Sequence, residues 1–326
     1  MTNPSLDYSR YQAIFHCLEA ASRFVAPVQS PVPTLRNLRD IIPSLPTVNN
    51  VSDGPPATAQ QTLELIRAAS NLLSHLNESS SANPLGWETM VGITRILEDL
   101  AAQLGSTVRK EKADLVSGLY VIIDPRVTGG REPLAIAQAS VRGGARMLQL
   151  RDKLRDKGES LRLAFELQKL CADSGVSLIV NDHVDIAAII GSTGVHVGQS
   201  DIPVDQARQV LSPGQVLGRS NRDIEQLVES EQMGADHVAF GAVFNTNTTG
   251  KKLGRAPRGV EQLRIAKDNA QTPLVAIGGI NANNIASVVE AGADAICLTA
   301  AVASAPEPEA AAANLVKIIE EAGGRI

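Results

Sequence analysis

Gln149, Arg151 and Lys153 alternate along a stretch that follows the apolar pair Met147-Leu148. In a strand, residues two apart point the same way, so an amide, a guanidinium and an ammonium share one face while Leu150 and Asp152 take the other. Such a row suits a polyanion such as diphosphate, to which Arg offers a planar fork and Lys a mobile point charge. The plain alternative is a solvated strand end with snorkelling side chains. Two further polar ends follow: Asn181-Asp182 after Ser177-Leu178-Ile179-Val180, and Asp201 closing Val195-His196-Val197-Gly198-Gln199-Ser200-Asp201. Two carboxylates from neighbouring strand ends could hold one Mg2+, a cation that takes a few carboxylates and completes its shell with water and phosphate oxygens. Singly, each Asp reads more readily as a helix cap or turn acid than as a metal ligand; together, one loop from an Arg/Lys pair, they favour a metal–diphosphate site. Ser220 ends Leu217-Gly218-Arg219-Ser220. With no His and acid arranged around it in sequence, it reads as a hydrogen-bond donor rather than a nucleophile. His196 lies inside its strand and reads as a satisfied histidine of the core or of the layer behind the site.

These residues need a scaffold that gathers strand ends. From Leu115 onward the chain alternates β-branched apolar runs with helical spacing. The strand candidates are Gly118–Asp124, Met147–Arg151, Ser177–Asn181, Gly194–Val197, Val216–Ser220, His237–Ala242, Leu274–Ile277 and Ala295–Leu298. Between them fall helix candidates Pro133–Gly143, Ser160–Ser174, Asp185–Gly191, Val204–Leu211, Asp223–Met233, Gly259–Ala270, Asn283–Ala291 and Pro308–Ala322. Strict alternation of this kind predicts an α/β fold, a (β/α)8 TIM barrel, with a doubly wound open sheet as the alternative. Arg142-Gly143-Gly144-Ala145, Met233-Gly234-Ala235-Asp236 and Ala291-Gly292-Ala293-Asp294 recur where a helix hands over to a strand. The glycines read as left-handed helix stops, so this weak repeat belongs to the stability face of a barrel.

In a barrel, chemistry collects where strands end. The sixth strand runs into Asn245-Thr246-Asn247-Thr248-Thr249-Gly250-Lys251-Lys252, a hydroxyl-, glycine- and lysine-rich loop suited to closing over an anion, or else an ordinary flexible loop. Gly278-Gly279 after the seventh strand and Thr299 after the eighth make a backbone phosphate cradle. One metal–Arg–Lys pocket and one backbone phosphate pocket together suit two phosphorylated substrates that join with loss of diphosphate.

Residues 1–112 differ in texture. Helical stripes are expected at Asp7–Val25, Thr34–Ile42, Thr58–Leu76 and Glu88–Leu104, with Gly105 as a stop, Val48–Thr58 turn-rich and Arg109–Asp114 as a linker. The chain therefore divides into a small all-α domain, 1–112, and a barrel domain, 113–326. Composition bounds the function classes. With 326 residues, 44% apolar, 20% charged and a net charge of −5, the chain has no basic footprint for nucleic acid or acidic membranes. Apolar runs are too short for a membrane span, the first residues lack a signal-peptide profile, and Cys17, Cys171 and Cys297 are too scattered for a disulfide framework. A cytoplasmic protein with reduced thiols is expected.

The motifs Gln149-Leu-Arg-Asp-Lys153, Asn181-Asp182, His196-Val-Gly-Gln-Ser-Asp201, Gly218-Arg-Ser220, Phe240-Gly-Ala-Val-Phe244, Ile277-Gly-Gly-Ile280 and the strand to Thr299 occur in the order found in thiamine-phosphate synthases, which residues 116–322 closely resemble. That resemblance implies a (β/α)8 barrel coupling hydroxymethylpyrimidine diphosphate to thiazole phosphate, with release of diphosphate. It implies that the segment Gln149–Lys153, with Leu150 and Asp152 included, and Asn181 hold the pyrimidine diphosphate, with Arg151, Lys153 and Ser220 in catalytic roles and Ser220 on the pyrimidine side. Asp182 and Asp201 match magnesium ligands. Thr246, Asn247 and Thr248 look like the thiazole phosphate loop, and Gly279, Leu298 and Thr299 complete that pocket. The loop departs from the family's Pro-Thr-x-Thr-Lys pattern: Asn245 stands for the proline, Thr249 for the lysine, and Lys251 is the nearest substitute. The implied chemistry is dissociative, through a pyrimidine cation, and the alternatives are a thiazole tautomerase or a non-catalytic phosphate-binding protein. The helical unit loosely resembles an extension of some family members, around Thr94–Asp99; an interaction or dimer-stabilising role is its plain hypothesis, which leaves a homo-oligomer open. The other partners expected are the two small-molecule substrates.

Overall fold

The computed structural model describes residues 13–14, 58–79, 87–246 and 256–326. The expectations for Thr34–Ile42, for nearly all of Asp7–Val25 and Val48–Thr58, and for Cys17 lie outside those residues. The chain divides into two compact units, 1–110 and 111–326.

In the first unit, helix α1 spans Ala59–Ser79 and helix α2 spans Trp87–Asp114. A reciprocal box opens α1: the Gln61 amide donates to Thr58 Oγ1 at 3.2 Å, and the Thr58 amide donates to Gln61 Oε1 at 3.0 Å. Ile66, Ala69 and Leu73 of α1 join Ile93, Leu97, Leu100 and Leu104 of α2 in one buried cluster. Two expectations fail here: Gly105 does not stop α2, and Arg109–Asp114 is helix rather than linker. A mid-helix glycine costs only about 1 kcal/mol against Ala, and the buried stripe continues past it from Leu104 to Val108.

The second unit is a closed parallel barrel, with its strands paired in the order β1 to β8 and β1 against β8. The strands are β1 Gly118–Ile123, β2 Met147–Leu150, β3 Ser177–Asn181, β4 Gly194–Val197, β5 Val216–Asn221, β6 His237–Gly241, β7 Leu274–Ile277 and β8 Ala295–Leu298. The helices that follow them are α3 Pro133–Arg142, α4 Lys157–Ser174, α5 Val184–Ile190, α6 Val204–Val210, α7 Ile224–Gln232, α8 Gly259–Asn269, α9 Ile285–Glu290, the short α10 Ala300–Ala303, and α11 Pro308–Glu321. The alternation expected of a TIM barrel is met. Helix α4 starts earlier than expected because the Asp156 side chain caps it, accepting from the Glu159 amide at 2.9 Å.

The period of two splits each strand between two cores. Leu119, Val121, Leu148, Leu150 and Val180 pack with the helices, while Tyr120, Ile122, Met147, Ile179 and Val216 fill the barrel. This split aims the inward side chains at the strands' C-terminal ends into one mouth. At the opposite end the glycine repeat does structural work. Gly144, Gly234 and Gly292 take φ of 90°, 94° and 91°, and after the second and third an acid ties the new strand to the one before. Asp236 accepts from the Leu217 amide at 2.8 Å, and Asp294 from the Leu274 amide at 2.7 Å. No helix among the described residues is long and apolar enough to cross a membrane.

Candidate active site

The mouth of the barrel holds a cavity of about 800 Å³, and Gln149, Arg151, Lys153, Asn181, Asp182 and Asp201 line one side of it. Ser220 lines the floor, and Thr246, Gly279, Leu298 and Thr299 line the other side. Eleven of the sixteen residues expected from sequence therefore face one space: six and five across these two groups. Two do not. Leu150 packs between the strands and helices, and Asp152 turns into its own loop, accepting from the Leu154 and Arg155 amides at 3.0 and 3.1 Å. Both sit on the outward parity of β2 and its extension, so the strand period turns their side chains away from the cavity. Asn247, Thr248 and Lys251, and Thr249 with them, lie outside the described residues.

Strand register builds the side that carries Gln149, Arg151 and Lys153. Gln149 pairs with Ile122 and Ile179 as an inward position, and its Nε2 donates to the Tyr120 hydroxyl at 2.6 Å. Arg151 Nη1 donates to Asp124 Oδ2 at 2.6 Å. Asp124 is 1% exposed and also takes Arg126 Nη2 at 2.7 Å, so one buried carboxylate fixes two guanidiniums. Asp124 and Tyr120 both line the cavity and were missed from sequence. The signal available for Asp124 was its position at the end of the first strand, the same criterion that picked out strands two to eight.

Asp182 has φ 62°, the one positive φ outside glycine among the described residues. Its amide donates to His196 O at 2.8 Å and its carboxylate pairs with Lys153 Nζ. Asp201 Oδ2 accepts from the Gly198 amide at 2.8 Å. Opposite, Gly278 and Gly279 have φ of 104° and 67°, and a Cβ at either would meet the chain after β6 at 2.4 Å. Both positions therefore require glycine, which lets the two loops close into a bare backbone wall.

Ser220 has the histidine partner that its sequence neighbours lack. His196 Nε2 lies 2.8 Å from Ser220 Oγ, and His196 Nδ1 lies 3.4 Å from His237 Nε2. Among the described residues no carboxylate hydrogen-bonds to the row, and burial pushes the pocket-lining Cys297 thiol far up, so neither side chain is an activated nucleophile. Burial lowers His196 to about 4 against the opposing pull of Asp201. Burial, reinforced by His196, holds His237 well below its ordinary value. Both imidazoles are neutral near pH 7.

That neutrality has a stability consequence. The folded values lie below the unfolded value of about 6.5, so below that pH the unfolded chain binds protons the native chain refuses. Stability is complete above about pH 6.5 and declines as pH falls toward the folded values, by at most about 1.4 kcal/mol per pH unit and per group. Urea denaturation across this window is expected to show the decline, and His237→Leu to make it shallower. Equal slopes in the two proteins would contradict a buried neutral His237.

The chain matches the family model described as thiamine monophosphate synthase over residues 119–302. It is 38% identical to the thiamine-phosphate synthase of Shouchella clausii over 204 residues, 63% of this chain and 97% of that protein. It is 41% identical to that of Roseiflexus sp. over 204 residues, 63% of this chain and 86% of that protein. The solved thiamine phosphate pyrophosphorylase from Pyrococcus furiosus superposes with a TM-score of 0.59 at 31% identity, covering 65% of this chain and 98% of that one. Fold, cavity and sequence agree: the chain belongs to the thiamine monophosphate synthase family.

Proposed function

We propose that this barrel joins hydroxymethylpyrimidine diphosphate to thiazole phosphate, giving thiamine phosphate and diphosphate, with the strand-end residues in the following roles. Arg151 and Lys153 bind the diphosphate, Gln149 and Asn181 orient it, and Ser220 contacts the pyrimidine. Gly279 and Thr299, with Thr246 from the loop after β6, receive the thiazole phosphate. The observation that carries this reading is the pairing, in one cavity, of a cationic wall with a backbone wall. A tautomerase acting on a thiazole phosphate alone has no need of the first wall.

The chemistry follows from those positions. The methylene C–O bond breaks heterolytically, its electron pair leaving with the diphosphate, and the electron-rich pyrimidine carries the resulting cation. The thiazole nitrogen then donates its lone pair to form the C–N bond. Negative charge grows on the leaving oxygen, where Arg151 and Lys153 stabilise it more in the transition state than in the ground state. Holding the thiazole against the cation is a matter of proximity, and the apolar floor of Ala239, Val275 and Ile277 limits competing water.

Asp182 and Asp201 fit a magnesium ion: both are hard oxygen donors on one cavity wall, and two carboxylates leave room for water and diphosphate oxygens. Bound there, magnesium would neutralise diphosphate charge. The experiment is diphosphate release from the two purified substrates, each alone and together, with and without Mg2+. Release that needs all three components is expected. Thiazole phosphate binding without release would favour a silent binder.

A further inference from the structure

His196, Gly218 and His237 occupy adjoining inward positions on β4, β5 and β6: His196 pairs in register with Gly218, and Gly218 with His237. A Cβ on Gly218 would lie 1.9 Å from His237 Nε2 and 2.7 Å from His196 Nδ1. The missing side chain of β5 is thus the gap through which the two imidazoles meet, with ring centroids 5.6 Å apart. His237 is fully buried and does not line the cavity; His196 is buried and does, ending at Ser220 Oγ.

Each neutral ring carries one N–H, so the row has two possible directions. If Ser220 donates to His196 Nε2, then His196 Nδ1–H donates to His237 Nε2, and the remaining His237 proton sits on Nδ1. That atom is buried with no hydrogen-bond partner among the described residues. Either direction leaves Nδ1 without a partner, and of the two defects a buried N–H lacking an acceptor is the rarer in folded proteins. The reverse direction avoids it: His237 Nε2–H donates to His196 Nδ1, His196 Nε2–H donates to Ser220 Oγ, and the serine hydrogen is free to turn into the cavity.

We infer that His237, acting through His196, fixes Ser220 as a hydrogen-bond donor aimed at an acceptor atom on the pyrimidine substrate. His237 is a positioning residue, separated from the ligand by two side chains. This inference rests on the proposed placement of the pyrimidine beside Ser220.

The test compares His237→Leu, Ser220→Ala and the double variant of the full chain, reading kcat/KM with each substrate varied in turn and thermal unfolding alongside. His237→Leu is expected to lower kcat/KM for the pyrimidine diphosphate by roughly five- to tenfold, the worth of one aimed hydrogen bond. KM for the thiazole phosphate should not move, and the double variant should be no worse than Ser220→Ala, because both changes remove the same interaction. Wild-type kinetics in His237→Leu beside an impaired Ser220→Ala, or additive losses in the double variant, would overturn the relay and leave the Ser220 assignment standing. Wild-type kinetics in Ser220→Ala would instead sink the pyrimidine placement. Nitrogen NMR of the unaltered, 15N-histidine-labelled chain reads the tautomers directly and needs no variant to fold. Both protons are expected on Nε2, and a His196 protonated on Nδ1 would overturn the inference.

Discussion

Arg151→Ala is expected to lower kcat for diphosphate release by roughly 10²- to 10³-fold, the usual cost of removing one preorganised donor from a developing anion. The loss falls on kcat because charge on the leaving oxygen is largest in the transition state. The side chain is held in place before any ligand arrives. Asp124, at 1% exposure, fixes Nη1 at 2.6 Å, and a side chain already oriented has little entropy left to lose on binding. Arg151→Lys should restore only part of the rate, since an ammonium cannot meet Asp124 and a phosphate oxygen with one rigid fork. Asp124 keeps Arg126, whose Nη2 and Nε lie 2.7 and 3.1 Å away, so truncating Arg151 does not leave the carboxylate unpaired. Steady-state kinetics with thermal unfolding as a control make the measurement; a variant that folds and turns over at the wild-type rate would remove Arg151 from the mechanism.

What was legible in the sequence followed from periodicity. The period of two in Gln149, Arg151 and Lys153 assigned all three to the cavity, and the same rule explains why Leu150 and Asp152 do not reach it: a motif shared as a block within a family carries its outward residues along with its inward ones. Strand boundaries came within a residue or two because Gly, Asp and Asn punctuate them. The failures were of another kind. The end of α2 was misjudged because local propensity at Gly105 is weaker than burial of Leu104 and Val108 on the same face. Tyr120 went unseen because its value lies in a cross-strand partner, Gln149, supplied by barrel closure rather than by neighbours in sequence, whereas Asp124 was legible as a strand end and only its grip on Arg151 was not. The histidine row is invisible for the same reason. Only the register of β4, β5 and β6 turns an unremarkable glycine into the space between two rings.

Asp182→Asn carries the second large effect: Mg2+-dependent binding of inorganic diphosphate should weaken at least about 100-fold, with a comparable fall in turnover. Asparagine is the informative replacement. Asp182 sits at φ 62°, a conformation that Asn tolerates and Ala does not, so the charge is removed without forcing the backbone. The amide that donates to His196 O is also kept. The Asp182 carboxylate is held by Lys153, whose side chain is 37% exposed. On the proposed placement of Mg2+, loading the site would exchange partners: the carboxylate would turn to the cation, and the released ammonium to the diphosphate. In the variant Lys153 loses its ionic partner and keeps at most a neutral amide acceptor, so diphosphate affinity in the absence of Mg2+ should hold or rise even as the metal's contribution vanishes. Titration calorimetry of inorganic diphosphate, with Mg2+ and with a chelator, separates the two terms without any turnover. If Mg2+ still tightens diphosphate binding in Asp182→Asn as much as in the parent chain, the metal is held elsewhere, and the Lys153–Asp182 pair is only a surface ion pair at the rim.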